Sequence, residues 1–215
     1  MKKMLLCSLA VVLLLIGCTK VPAVLLPSAN ADSASVVYPL PDTTMENLTD
    51  AILSVSFGEG DVYLDDTGKL QMRVKIYTCD AYDLLDMALL QVGDALATHA
   101  GEVAVASLVK DDNGRIVING GWADGGLDLI TDEGGFYYAI GANDAKDWYQ
   151  IGEAIIRVSV DFQGYDQADP EQGEIVFYPG DFLVNAVTNY DFTPYNTTIR
   201  VEAGQVVELH RMYIP

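Results

Sequence analysis

The sequence predicts a mainly β fold, an antiparallel sandwich or small barrels with one or two short helices. The first observation is a stretch without proline from Asn47 to Asp169, in which every residue keeps the N–H donor that a paired strand uses. The second is alternation of apolar and polar residues, as in 51–57, where Leu53 and Val55 share one side. The third is a set of glycine-containing turns between such segments.

The same alternation predicts further strands, which are short and bounded by turn residues. They cover 62–65, 69–77, 102–110, 115–119, 135–140, 154–160, 174–178, 197–202 and 205–214.

Three loops have the residues of tight hairpins. The segments 65–69 and 111–115 share the pattern Asp-Asp-x-Gly-basic, which fits a type I turn followed by a glycine in the left-handed conformation. The segment 202–204, Glu-Ala-Gly, fits the same three-residue loop. Each loop fixes a register that places apolar residues opposite one another. The predicted pairs are Val62–Met72, Leu64–Leu70, Val109–Val117, Leu108–Ile118 and Ile199–Val207.

Helix signals are few. Asp80 is predicted to cap a short helix over 81–90. Its buried face would consist of the apolar side chains Leu84, Leu85, Ala88 and Leu89. A second short helix is predicted over 181–187, after Pro179 and Gly180.

The start of the chain has the composition of an export signal. Lys2 and Lys3 precede an apolar run, 4–16, that is shorter than the roughly 20 residues of a membrane-spanning helix. The run ends in Leu15-Ile16-Gly17-Cys18, which resembles the lipobox of bacterial lipoproteins. The resemblance implies that residues 1–17 are removed and that Cys18 is lipidated. Ala29-Asn30-Ala31 offers a rival site of ordinary signal cleavage.

The domain order follows from this leader. Residues 18–45 hold four of the eight prolines among serines and alanines, which predicts a semi-extended tether. Residues 46–215 then form a β-rich extracellular domain, with a split near 120–126 as the alternative. The short segment 90–94, with Val92-Gly93-Asp94, resembles the start of small SH3-like or OB-like barrels.

The net charge of the chain excludes some classes of binding partner. The chain has 12 Lys and Arg against 31 Asp and Glu, and residues 1–17 hold two of the lysines, so the chain from Cys18 has a net charge of −21. Such a surface repels nucleic acid and anionic lipid headgroups. With Cys18 lipidated, Cys79 has no thiol partner for a disulfide, and a role as a small apolar residue is favoured.

No motif specifies an enzyme. The two histidines are His99, in a polar turn, and His210, on the side of a strand opposite Leu209, where it is expected to face solvent. Glycine-rich phosphate loops, cysteine–histidine zinc clusters and nucleophile elbows are absent from the sequence. A Cys79–His99 pair has only the scarcity of such residues in its favour.

Two features suggest ligands. Asp124, Asp128 and Asp132 recur every four residues between glycines and are the candidate calcium ligands, although ordinary acidic turns also explain them. Trp122, in a glycine-rich loop, and Trp148, after an acidic turn, are candidate platforms for a sugar. Each tryptophan also fits a core position.

The C-terminal part is similar to uncharacterised secreted domains of Gram-positive gut bacteria. The similarity rests on Val92-Gly93-Asp94, on 118–121 (Ile-Asn-Gly-Gly) and on 192–198 (Phe-Thr-Pro-Tyr-Asn-Thr-Thr). It implies a fold and a compartment, and no activity.

The sequence therefore favours a lipid-anchored binding or structural module on the extracytoplasmic face of a bacterial membrane, without a cofactor. A cell-wall or glycan ligand fits this location. One alternative is a glycan hydrolase that uses paired carboxylates. Another is a calcium-stabilised adhesive domain. The balance leans away from an enzyme, and the sequence does not indicate an oligomeric state.

Overall fold

Strands make up most of the described chain, which confirms the mainly β prediction. The computed structural model describes residues 34–213 except Glu59, Glu133, 168–170, Gln172 and 183–191. The strands are β1 (Val36–Val37), β2 (Ala51–Ser56), β3 (Val62–Leu64), β4 (Leu70–Thr78), β5 (Ala81–Tyr82), β6 (Ala95–Thr98), β7 (Gly101–Ala104), β8 (Leu108–Lys110), β9 (Ile116–Ile118), β10 (Leu127–Thr131), β11 (Tyr137–Ile140), β12 (Tyr149–Gln167), β13 (Ile175–Phe177), β14 (Thr197–Glu202) and β15 (Gln205–Met212). The described residues also form two short helices, α1 (Leu84–Leu89) and α2 (Pro179–Asp181).

Five strands close into a small barrel. Around the ring the order is β2, β4, β12, β15 and β14, and β14 returns to β2. The closure depends on the length of β12, since its first half pairs with β4 and its second half with β15. The β12–β15 pair is parallel and the other neighbours are antiparallel. This order, with one parallel pair, is that of an OB-type barrel.

The barrel encloses the larger of two cores. Alternate residues of β2 and β4 point inward, so that Leu53, Val55 and Met72 are fully buried. Phenylalanine rings fill one end, where the Phe162 and Phe182 rings stack with centroids 5.2 Å apart. Burial of apolar surface stabilises such a core by about 25 cal/mol per Å².

Residues 79–148, which we call the insert, lie between β4 and β12 and contribute a second core. The insert holds a five-stranded sheet in the order β5-β11-β10-β9-β8, and β1-β6-β7 form a separate sheet. The residues of the second core are Tyr82, Met87, Leu90, Leu96, Val105, Ile116, Ile118, Leu129 and Ala139. Segment 90–94, whose sequence suggested the start of a barrel, lies between α1 and β6, outside the five barrel strands. Segment 120–126 connects β9 to β10, which pair with each other.

Two of the three predicted hairpins are confirmed in register. Val62 faces Met72, and Val109 faces Val117, as the loops predict. In both loops the glycine has a positive φ, 75° at Gly68 and 83° at Gly114. A side chain is strained in that conformation, so glycine there fixes the loop length and hence the pairing.

The predicted register of the third hairpin is wrong. Ile199 faces Leu209, not Val207. Ala203 and Gly204 both have positive φ, 48° and 72°, which makes a two-residue turn that closes Glu202 on Gln205. A bulge between Arg200 and Val201 then shifts the pairing beyond it.

The helix prediction is wrong in its cap and in its buried face. Asp83, not Asp80, caps α1, because its carboxylate accepts the Leu85 N–H at 2.8 Å. Met87 is buried, whereas Leu85 and Leu89 are 64% and 69% exposed. The helix is only six residues long, and Met87 is its buried side chain. The second predicted helix, over 181–187, falls mostly outside the described residues.

The described end of the predicted tether is part of the fold. Val36 and Val37 form β1, which pairs in parallel with β6, and the Leu40 N–H donates to Ala81 O at 2.7 Å. Residues 34–45 are therefore not a free spacer. The rest of the predicted tether, 18–33, and the predicted leader, 1–17, lie outside the described residues.

Candidate functional site

The outer face of the barrel carries a strip of basic side chains. Because alternate residues of β4 point into the core, Arg73 and Lys75 point outward from the same strand. On the neighbouring β12, Glu153 lies opposite Lys75, and Ile155 lies opposite Arg73. Arg157 follows two positions later and therefore shares their face. Three of the twelve Lys and Arg residues of a chain with net charge −19 thus lie on two adjacent strands. We call Arg73, Lys75 and Arg157 the basic strip.

The first cleft lies at one end of the basic strip. It has a volume of about 270 Å³ and is lined by Ser56, Phe57, Gly58, Asp61, Arg73, Val74, Lys75, Glu153, Phe192 and Thr193. The Arg73 guanidinium lies 3.6 Å from the Asp61 carboxylate and 5.8 Å from the centre of the Tyr63 ring. The Arg73 side chain is 53% exposed, so this ion pair contributes little stability and leaves the guanidinium accessible to a ligand.

The second cleft lies at the other end of the strip and has a different lining. Its volume is about 310 Å³, and it is lined by Leu64, Gly68, Lys69, Leu70, Arg157, Val158, Ser159, Val160, Pro179 and Gly180. Two of these residues are basic and none is acidic. No carboxylate of the described residues forms an ion pair with Lys69, Lys75 or Arg157.

Arg157 lines this cleft, and one of its donors is unsatisfied. Its Nε is buried and has no hydrogen-bond partner among the described residues. A buried N–H without an acceptor costs about 1–3 kcal/mol. Because Nε is buried, a ligand in the cleft would not reach it. A guanidinium suits carboxylate or phosphate because its donors form a rigid planar fork.

The strip has the chemistry of a binding surface for an extended ligand. Arginine and lysine supply charge-assisted donors, and Tyr63 and Tyr77 supply aromatic surface beside them. The clefts at the two ends are joined by the outward side chains of β4 and β12. A chain-like ligand lying along these strands would contact both clefts at once.

A buried carboxylate joins the barrel to the insert. Asp80 is 3% exposed. It accepts the His99 N–H at 2.8 Å, contacts His99 Nδ1 at 3.0 Å and accepts the Tyr149 hydroxyl at 3.2 Å. The His99 and Tyr149 rings also stack, with centroids 4.0 Å apart. We call Asp80, His99 and Tyr149 the junction cluster.

The junction cluster has the geometry of a structural clamp. Burial, and then the negative charge of Asp80, raises the pKa of Tyr149 to about 12. The phenol therefore stays protonated near neutral pH and keeps its hydrogen bond to Asp80. Burial raises the pKa of the neighbouring Cys79 to about 11, so this thiol is not the thiolate that nucleophilic chemistry needs. His99 bonds to Asp80, and no bond to Cys79 is seen among the described contacts.

The predicted calcium ligands have protein partners. Asp128 is buried and accepts the Arg115 Nε–H at 3.0 Å and the Trp122 N–H at 2.8 Å. Burial alone would raise the pKa of Asp128, but these bonds outweigh it and lower the pKa. Asp132 accepts from Lys146 at 3.1 Å, and Asp124 is exposed. Within the described part of the chain, no group of three or more His, Cys, Asp or Glu is arranged to hold a metal ion.

The predicted sugar platforms lie on separate segments. Trp122 is 52% exposed and occupies a 3₁₀ turn between β9 and β10. Trp148 is half-buried and directly precedes β12. His210 is exposed on β15, as its alternation predicts, and its ring stacks on Tyr165 with centroids 4.7 Å apart. Cys18, the predicted lipidation site, lies outside the described residues.

Sequence reasoning missed the basic strip, although its signal was present. In the predicted strand 69–77, Arg73 and Lys75 are two residues apart and therefore share a face. In a chain this poor in basic residues, that spacing is the local signal. The contribution of Arg157 depends on the pairing of β12 with β4, which alternation within one strand does not specify.

No described helix has the length and apolar character that crossing a membrane requires. No protein family, curated protein or solved structure matches this chain.

Proposed function

We propose that this chain is a lipid-anchored binding module of the bacterial envelope, which holds an acidic glycan along the outer face of its barrel. The observation that carries the proposal is the basic strip, three cations on adjacent strands of a chain with net charge −19. Anchoring through Cys18 is supported by the lipobox-like segment that precedes it. The OB-type barrel adds an analogy, since the outer face of such barrels binds oligosaccharides and oligonucleotides in other proteins.

The net charge of the chain favours a glycan over a nucleic acid as the bound polymer. Charges interact over about 8 Å at physiological ionic strength, so a ligand group in contact with Arg73 experiences mainly its near neighbours. Among these, the three cations of the basic strip outnumber the two acids Asp61 and Glu153. A nucleic acid carries about one charge per 1.7 Å of duplex and meets the repulsion of the whole acidic surface. A glycan with isolated acidic groups between neutral sugars avoids most of that repulsion. The basic strip therefore fits a sparsely charged glycan and not a nucleic acid.

The contacts of the first cleft favour binding over hydrolysis. A glycosidase needs two carboxyl groups flanking one bond, one of them protonated. In this cleft Asp61 is engaged by Arg73 and by the Gly58 N–H at 2.9 Å. Glu153 accepts from Gln150 at 3.3 Å. Both carboxylates already have donors, and the basic groups between them suit an anionic ligand better than an acid catalyst.

We expect replacement of Arg73 and Lys75 by alanine to weaken glycan binding at least tenfold. Each hydrogen bond to a charged group contributes about 1.5–3 kcal/mol, and 1.4 kcal/mol is a factor of ten in affinity. The measurement is binding of the detergent-solubilised full chain to an array of envelope glycans and peptidoglycan fragments. Lys110→Ala is the control for loss of a positive charge away from the basic strip, since Lys110 lies on the insert, where its Nζ donates to Met87 O at 2.7 Å.

Two outcomes would contradict the proposal. In the first, no acidic glycan binds the wild-type chain. In the second, the Arg73/Lys75 double variant binds as the wild type does while Trp122→Ala loses binding, which would place the ligand on the tryptophan loop of the insert.

A further inference from the structure

The second cleft combines features that select one chemical group. Lys69 and Arg157 supply positive charge, and the lining contains no acid. Apolar side chains also line it, among them Leu64, which is 55% exposed, and Val160, which is 80% exposed. Isolated exposed aliphatic residues are ordinary, but here they border a cleft whose two cations form no ion pair with a carboxylate of the described residues.

We propose that the second cleft binds a carboxylate whose neighbouring carbon carries a methyl group. The charge pair takes the carboxylate, and the aliphatic wall takes the methyl. This inference rests on the proposed function, because it assigns a subsite at one end of the same barrel face. Two envelope sources share the chemistry, the lactyl ether of a muramic-acid sugar and the C-terminal alanine of a peptide.

The geometry of Arg157 supports a carboxylate over a neutral polar group. Arg157 lies where β12 leaves β4 and joins β15, opposite both Gln71 and Gln205. Nε of the guanidinium is buried, so a ligand in the cleft would approach the terminal nitrogens. A carboxylate has two oxygens with which to meet them. A hydroxyl would satisfy one donor and leave the positive charge without a counter-ion.

The size of the cleft supports a small substituent. A volume of about 310 Å³ lies at the lower end of the 300–1,000 Å³ range of small-ligand sites. It accommodates a short branched acid and not several sugar rings. The rest of a polymer would leave this cleft along β4 and β12 toward the first cleft.

The test is titration of the full chain in detergent with defined small probes. N-acetylmuramic acid and N-acetyl-D-alanyl-D-alanine carry the group, whereas N-acetylglucosamine and the dipeptide methyl ester lack the free carboxylate. We expect at least one of the first two to bind at least tenfold more tightly than its uncharged counterpart. Whichever of them binds identifies the source of the carboxylate.

Variants separate this inference from the proposed function. Arg157→Gln is expected to abolish binding of the acidic probe, and Arg157→Lys to restore it in part, because lysine keeps the charge and loses the fork. Lys110→Ala, on the insert, should leave binding of the small probe unaffected. The inference is overturned if uncharged probes bind equally well, or if Arg157→Gln binds the acidic probe as the wild type does. If long glycans still depend on Arg73 and Lys75 in that case, the proposed function stands and only the subsite is wrong.

Discussion

Asp80→Ala is expected to lower the free energy of unfolding by about 2–3 kcal/mol, because three donors lose a charged acceptor that is itself buried. The substitution leaves the His99 N–H, His99 Nδ1 and the Tyr149 hydroxyl without their shared acceptor. A hydrogen bond to a charged group contributes about 1.5–3 kcal/mol. His99 is exposed and Tyr149 is half-buried, so water recovers part of the three losses. The carboxylate is 2% exposed, so water does not fully replace it. Urea unfolding followed by far-UV circular dichroism measures the loss.

The control for Asp80 is the residue that caps the helix. Asp83 is the N-cap of α1, and Asp83→Ala is expected to cost only about 1 kcal/mol. Tyr149→Phe, which removes one of the three donors, should also cost about 1 kcal/mol. Equal losses for Asp80→Ala and Asp83→Ala would mean that Asp80 is no more than a local cap and that the junction cluster does not hold the barrel to the insert.

Gly126→Ala is expected to cost about 3 kcal/mol, at the upper end of what inserting one methyl group into a packed site costs. A Cβ at this position would lie 2.0 Å from Ile118 O and 2.8 Å from Asn119 O, both backbone atoms. Neither atom can move without displacing the β9–β10 hairpin, because Leu127 pairs with Ile118. The loss appears as a lower midpoint in urea unfolding at an unchanged slope.

Gly125 provides the matched comparison one residue away. It has a φ of 80° and no atom within 4 Å of an added Cβ. Gly125→Ala therefore carries only the cost of the left-handed conformation, roughly 1–2 kcal/mol. A Gly126→Ala variant that is no less stable than Gly125→Ala would show that the hairpin relaxes around the added methyl.

The glycines of 120–126 illustrate what the sequence conveyed and what it did not. Their density, with Trp122 and Asp124 among them, suggested an exposed ligand loop. The structure shows a tight turn in which Gly126 packs against backbone and Asp128 accepts the Trp122 N–H. These glycines are explained by the lack of room for a side chain. A sequence alone does not distinguish this steric requirement from a ligand that must approach the backbone closely.

Local features were predictable because their causes are local. The loops at 65–69 and 111–115 contain the glycine that sets loop length, and the pairings on either side follow from it. Barrel closure was not predictable in the same way. It depends on β12 pairing with β4 along one half and with β15 along the other, contacts that are distant in sequence.

The prediction of the helix and its cap was wrong for a related reason. Asp80 and Asp83 are both acceptable caps by residue type. The choice between them was made by His99 and Tyr149, which approach Asp80 from two distant segments. Ala81 and Tyr82 form β5, which pairs with β11, so the helix begins only at Leu84, after its cap at Asp83.

The basic strip could not be inferred from the net charge of the chain. A net charge of −19 indicates a protein that repels anions, but it says nothing about where the few cations lie. Arg73 and Lys75 become neighbours of Arg157 only when β4 and β12 pair. The electrostatic potential that a bound ligand experiences is set by the charges within about 8 Å of the contact.

Backbone amide chemical shifts, measured with and without a bound acidic glycan, report directly which face of the molecule the ligand contacts. Binding along the barrel predicts shift changes concentrated in residues 71–77 and 153–160, with the loop at 120–126 unaffected. Changes concentrated at 120–126, or spread evenly over the acidic surface, would contradict binding at the basic strip.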